Sequence, residues 1–204
     1  MRTHSPVRSA AVIAVHGLSS PVEPLERLIE HVGASVLSVG STRPWAPDLQ
    51  GWSDEITKAH LLQDGDATHL VAHSLGAVPA LRAATFATNP QILLLNPFLA
   101  HRWAVESMQT LDPTHITVVV GEHDVVTRKQ GVVFAEKFGA NLIRVPGLSH
   151  SGFLPGFMDL WSSPVSFAER AVNRALGRRG ETLTRDEQFR VVSRIVSDYL
   201  GFRP

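Results

Sequence analysis

Six short, predominantly apolar runs recur along the chain, at 11–15, 35–39, 68–72, 91–95, 115–120 and 141–145. Two of them, Val12-Ile13-Ala14-Val15 and Ile116-Thr117-Val118-Val119-Val120, show little alternation between apolar and polar positions. A strand with one wet face alternates, so these runs predict strands covered on both faces, as in a parallel sheet packed between helices. Helical patterns of the right length lie between most of them. Leu25, Leu28, Ile29 and Val32 fall at helical spacing within 24–32; Ser53 stands ahead of Asp54 and Glu55 as a cap would; 75–87 is rich in alanine; 129–138 follows the fifth strand.

Beyond the sixth run, 165–176 and 185–200 predict two further helices. Thr184 and Glu187 have the spacing of a capping box, and Phe189, Val192, Ile195, Val196 and Tyr199 make an apolar stripe for docking on the sheet. Strand-helix alternation implies right-handed crossovers and an α/β fold: a doubly wound, mostly parallel six-stranded sheet flanked by helices. Ligands are then expected outside the carboxyl ends of the strands. No repeat or linker interrupts the pattern, which predicts one domain over 1–204.

Composition narrows the function classes. With 204 residues, 44% of them hydrophobic, the chain can bury a core without metals or crosslinks. Lys+Arg and Asp+Glu are both 19, so no global field recruits nucleic acid or an anionic membrane, and a small molecule is the expected partner. The arginines at 170, 174, 178, 179, 185, 190 and 194 read as a solvated helix face. The absence of cysteine excludes disulfides, a thiol nucleophile and Cys-based zinc sites. No H-E-x-x-H or similar ligand spacing occurs, so neither a metal nor another cofactor is expected. The first apolar run near the start, 10–14, is too short for a signal peptide core or a membrane span; the expected setting is cytoplasmic, as a monomer or small homo-oligomer.

The candidate chemistry sits at the predicted strand ends. Leu70-Val71-Ala72-His73-Ser74-Leu75-Gly76 runs from a strand into a helix through a small-x-Ser-x-Gly turn, a relaxed form of the nucleophile elbow. A serine hydroxyl is a weak nucleophile and needs a base, itself held in one tautomer by a carboxylate. Asp124 follows the fifth strand in Gly121-Glu122-His123-Asp124, and His150 follows the sixth in Gly147-Leu148-Ser149-His150. Glu122 and Asp112 compete with Asp124 for the acid; Asn96, at the end of the fourth strand, cannot be a carboxylate. The order Ser74, Asp124, His150 is that of nucleophile, acid and base in an α/β-hydrolase. Two backbone N–H groups would hold an oxyanion: Leu75, after the nucleophile, and Leu18, after Val15-His16-Gly17. His16 is expected to fix that loop by hydrogen bonds, and His73 and His123 to be structural neighbours of the site.

On these four runs the chain resembles the α/β-hydrolase superfamily from Val12 to the helix after His150, and is most similar to its minimal, lidless members. Ala72 is similar to the elbow of small secreted bacterial lipases, while the lack of a signal segment looks more like small cytosolic serine hydrolases of the retinoblastoma-binding-protein-9 type. The resemblance implies a core lacking the superfamily's first two strands, with no separate cap domain. The expected activity is hydrolysis of a carboxylic ester or thioester through an acyl-enzyme. Phe98, Trp103, Phe153 and Leu154 are candidates to line an acyl pocket, with Phe157, Met158 and Trp161 divided between pocket and core. Trp45 and Trp52 belong to a pocket rim or to the core. The rival functions are a non-catalytic binding or scaffold protein on the same fold, and an acyltransferase or peptidase using the same three residues.

Overall fold

The computed structural model describes residues 11–17, 23–39, 47–61, 69–150, 152–154, 171, 172, 175 and 183–201. Each apolar run forms a strand: β1 (Ala11–Val15), β2 (Ser35–Val39), β3 (His69–His73), β4 (Gln91–Leu95), β5 (Ile116–Gly121) and β6 (Asn141–Val145). They hydrogen-bond in the order β2-β1-β3-β4-β5-β6, and every pairing is parallel. Among the described residues they are accompanied by the helices α1 (Glu23–His31), α2 (Leu49–Leu61), α3 (Ala77–Ala84), α4 (Arg102–Ser107), α5 (Arg128–Phe138) and α6 (Arg185–Tyr199).

Successive strand residues point to opposite faces, so an unalternating apolar strand feeds two cores. Ile13, Val15, Leu70, Ala72, Ile92, Leu94, Val118 and Val120 pack with Trp52 and Ile56 of α2, Leu81 of α3, Ala104 of α4 and Phe134 of α5. Val12, Ala14, Val71, Leu93, Leu95 and Val119 pack on the other face with Leu25, Leu28 and Ile29 of α1 and Val192 and Val196 of α6. The sheet is thus doubly wound. The two edge strands are less covered: Asn141, Ile143 and Arg144 of β6 and Leu37 of β2 are exposed.

Local capping explains most differences from the expected boundaries. α2 begins before Ser53 because Asp48 is the cap, its carboxylate accepting from Gly51 N at 2.9 Å; Ser53 is buried inside the helix. The predicted 75–87 helix is split into a 3₁₀ turn, Ser74–Gly76, and α3. α4 was not legible: its cap is His101, whose Nδ1 accepts from Trp103 N at 3.2 Å, an unusual capping residue on a six-residue helix. α6 carries the expected capping box, Glu187 N to Thr184 Oγ1 at 3.3 Å and Thr184 N to Glu187 Oε2 at 2.8 Å. Of the predicted 165–176 helix only 171, 172 and 175 are described, and these are helical; Trp45, Phe157, Met158 and Trp161 lie outside the described residues. No helix among the described residues is long and apolar enough to cross a membrane.

The chain leaves β1 toward β2 on one side and returns to β3 on the other. This reversal makes the carboxyl ends of β1 and β3 the topological switch point, where open α/β sheets place their ligands.

Candidate active site

Ser74 follows β3 directly, at φ 52°. A left-handed backbone at a residue with a side chain is costly, and here it turns the chain from strand to 3₁₀ turn within one residue. Two glycines permit the packing around it. A Cβ at Gly76 would lie 2.5 Å from the carbonyl oxygens of Val15 and His16, which are backbone and cannot yield, and one at Gly17 would lie 2.7 Å from Ser74 Cβ. Ala72 needs no such freedom: it pairs regularly with Val15 on β1 and Leu94 on β4, and its methyl is buried in the core.

Three side chains from three strand ends meet here. Ser74 Oγ is 3.0 Å from His150 Nε2, and His150 Nδ1 is 3.0 Å from Asp124 Oδ2. Asp124 is 1% exposed, and its other contacts fix its orientation. Oδ1 accepts from Val126 N at 2.7 Å and Thr127 N at 3.0 Å, while Oδ2 also accepts the Thr127 hydroxyl at 2.5 Å. Burial is the largest influence on this carboxyl and pushes its pKa up. The hydrogen bond and charge of His150, with the Thr127 hydroxyl and N–H, outweigh it, so the group is held below the usual carboxylate value. An ionised carboxylate only accepts, so His150 donates from Nδ1 and presents Nε2 as an acceptor to the Ser74 hydroxyl. Such a relay can take the proton from Ser74 Oγ.

The carboxylate on His150 Nδ1 is that of Asp124. Asp112 caps the 3₁₀ turn Pro113–His115, accepting from Thr114 N at 2.9 Å. Glu122 N donates to Val145 O at 3.0 Å, tying the loop after β5 to the end of β6, and His123 N does the same with Leu148 O at 3.0 Å. The backbone N–H of Leu75 lies in the first turn of the 3₁₀ segment, where no earlier helical carbonyl is available to it. Leu18 lies outside the described residues. Next to it His16 Nδ1–H donates to Gly17 O at 3.0 Å, as expected of a loop-fixing histidine.

The loop 147–150, which carries His150, is held by buried polar side chains, of which only His73 has a structural role legible in the sequence. Asn96 donates through Nδ2 to Ser149 O at 2.8 Å and His150 O at 3.0 Å. Gln188 of α6 accepts through Oε1 from Ser149 N at 3.1 Å and from Ser149 Oγ at 3.0 Å. His73 Nε2–H donates to His150 O at 3.0 Å. Thr127 was the most findable of the missed residues, since an Asp accepting from the N–H groups two and three residues on is a local turn pattern. Asn96 and Gln188 act across 53 and 39 positions, and no local signal marks them.

His73 is 2% exposed, and burial pushes its pKa down to about 3, with the neighbouring His150 adding to the effect. The folded protein therefore keeps His73 neutral while the unfolded chain takes up a proton below about 6.5. Stability is complete above that pH and falls as pH drops from about 6.5 toward about 3. At pH 5 the loss from this one group is about 2 kcal/mol. His73→Gln keeps an N–H donor without the titration. Urea unfolding at pH 7 and pH 5 should show the wild type losing about 2 kcal/mol more than the variant; equal losses would refute the assignment.

No family model and no curated protein matches the sequence. Solved structures do match the fold. An uncharacterized protein from Bacillus cereus ATCC 10987 superposes with a TM-score of 0.57 at 16% identity, over 85% of this chain; the chain spans 63% of that protein's length. A structure from work on carboxylesterases of the thaumarchaeon Nitrososphaera gargenis gives 0.56 at 12% identity, over 84% of this chain and 94% of its own. Acyl-protein thioesterase 2 of Zea mays gives 0.51 at 14% identity, over 80% and 93%. The chain has the α/β-hydrolase fold.

Within this α/β-hydrolase fold, Ser74, Asp124 and His150 come together, and two of the four suggested pocket residues stay near the surface. Phe98 is half-buried, and its N–H donates to Ser74 O at 2.9 Å, tying the loop after β4 to the elbow. Trp103 is half-buried, edge-on to His101 with ring centroids 5.3 Å apart. Phe153 and Leu154 are instead core: they are 1% and 4% exposed among the α1 and α6 residues, with the Phe153 ring edge-on to His73 at 5.5 Å. Trp52 is core as well, at 4% exposed. No group of three or more His, Asp or Glu among the described residues is placed to hold a metal ion.

Proposed function

We propose that this protein is a single-domain serine hydrolase that cleaves a carboxylic ester or thioester through an acyl-enzyme. The observation that carries this reading is the continuous hydrogen-bonded line from Ser74 Oγ through His150 to Asp124, starting at a serine held at positive φ beside the carboxyl end of β1. As substrate binds, His150 Nε2 takes the Ser74 proton and Oγ adds to the carbonyl carbon. The resulting oxyanion is held by the N–H groups of Leu75 and Leu18. The tetrahedral intermediate collapses as His150 Nε2–H protonates the leaving alcohol or thiol. Water then enters, gives its proton to His150 and attacks the acyl carbon; a second collapse returns the proton to Ser74 and releases the acid. Nucleophile, base and acid are all side chains of this chain, so the reaction needs no metal or cofactor.

The choice of ester and thioester draws on the fold's likeness to the carboxylesterase and thioesterase structures. Phe98 and Trp103, half-buried in the loop and helix after β4, favour an apolar acyl group. Treatment with a fluorophosphonate should add one adduct by intact mass, and uncharged p-nitrophenyl esters of increasing chain length should be turned over. An unlabelled protein that binds a small apolar ligand would instead indicate a scaffold. A strict preference for charged or sugar esters would contradict the apolar acyl group.

A further inference from the structure

Asn96 directly follows β4 at φ 43°, fully buried, in a position where the site's chemistry assigns it no step. Its partners fix its orientation without ambiguity. Gly121 N can only donate, so Oδ1 faces it at 2.7 Å; the carbonyls of Ser149 and His150 can only accept, so both Nδ2 hydrogens face them. Gly121 is the last residue of β5, three residues before Asp124, and Ser149 and His150 form the base loop. The Asn96 main chain joins the same assembly, with N donating to Val119 O at 2.8 Å and the carbonyl 3.0 Å from the Thr127 hydroxyl that also reaches Asp124. One amide therefore spans the strand end that carries the acid and the loop that carries the base.

We propose that Asn96 is a positioning residue: its amide sets the Asp124 to His150 distance by clamping Gly121 on one side and the His150 loop on the other. The proposal rests on the serine hydrolase reading for its kinetic consequences, but not for the geometry it asserts. A charged acid at 96 would lose the clamp, because a carboxylate has no hydrogens to offer the Ser149 and His150 carbonyls. An aliphatic side chain would leave the Gly121 N–H without its partner in the core and take a donor from each of the Ser149 and His150 carbonyls, the latter keeping His73 Nε2–H.

Asn96→Gly tests the clamp without adding strain, since glycine accepts φ 43° freely. Asn96→Asp is the second variant, close in shape and able to accept from Gly121 N but unable to donate. In both, the low-field proton resonance of the His150 Nδ1–H bond to Asp124 should broaden or vanish. kcat should fall on the order of 10²-fold with KM unchanged, and fluorophosphonate labelling should slow by the same factor. A resonance and labelling rate like the wild type in either folded variant would overturn the proposal. Loss of folding in both would make Asn96 a stability residue and overturn it too. If the wild-type protein neither labels nor hydrolyses esters, the hydrolase reading fails, while the proton resonance still decides whether Asn96 sets the bond.

Discussion

Ser74→Ala is expected to lower ester turnover by about 10⁶-fold, the scale on which removing the nucleophile disables a Ser-His-Asp relay. The single fluorophosphonate adduct should disappear with it. The fold should tolerate the change. Alanine keeps the Cβ that already sits against Gly17, adopts φ 52° no worse than serine, and removes one hydroxyl whose partner is His150 Nε2. The thermal midpoint should move little while activity collapses, and that separation distinguishes a reacting hydroxyl from a serine that merely starts a helix. A variant that still forms the adduct in equal yield would remove Ser74 from the mechanism.

Asp124→Asn carries the second largest effect, about 10⁴-fold in kcat. The reason follows from the four donors around the carboxylate. Val126 N and Thr127 N both point at one oxygen and need an acceptor, so an asparagine carbonyl is forced to that side. Its NH₂ then faces His150 Nδ1, which must become the acceptor, and the imidazole proton moves to Nε2. Nε2–H facing Ser74 Oγ cannot take the serine proton. Steady-state kinetics should show the loss in kcat with KM little changed, since the substituted side chain keeps its size behind the imidazole. A variant within tenfold of the wild type would mean that another group, Glu122 first among them, orients His150.

The readable and the unreadable parts of this chain divide by range. Strands and most helices were legible because their signals are local: unalternating apolar runs for strands covered on both faces, and i, i+3, i+4 spacing with Thr184 and Glu187 for α6. The errors were local too. Ser53 looked like a cap, but Asp48, five residues earlier, reaches Gly51 N first, and a histidine cap gave α4 no recognisable start. Phe153 and Leu154 illustrate a different difficulty. Aromatic and aliphatic residues near a site suit a pocket or a core equally, and only the placement of α1 and α6 put these two inside.

By itself the sequence determined the parallel, doubly wound sheet and the order along it of Ser74, Asp124 and His150, the proposed nucleophile, acid and base. Strand ends are where successive β-α units bring their loops, so residues placed after β3, β5 and β6 converge whatever the intervening chain does. Tertiary structure decided the rest: which carboxylate faces His150, why Gly17 and Gly76 must lack a Cβ, and that Asn96, His73 and Gln188 hold the base loop. The contacts of Asn96, His73 and Gln188 with that loop run across 39 to 77 positions between buried polar groups. A buried amide or imidazole leaves no periodic trace in a sequence, because its partner is set by how the strands and helices pack and not by its neighbours along the chain.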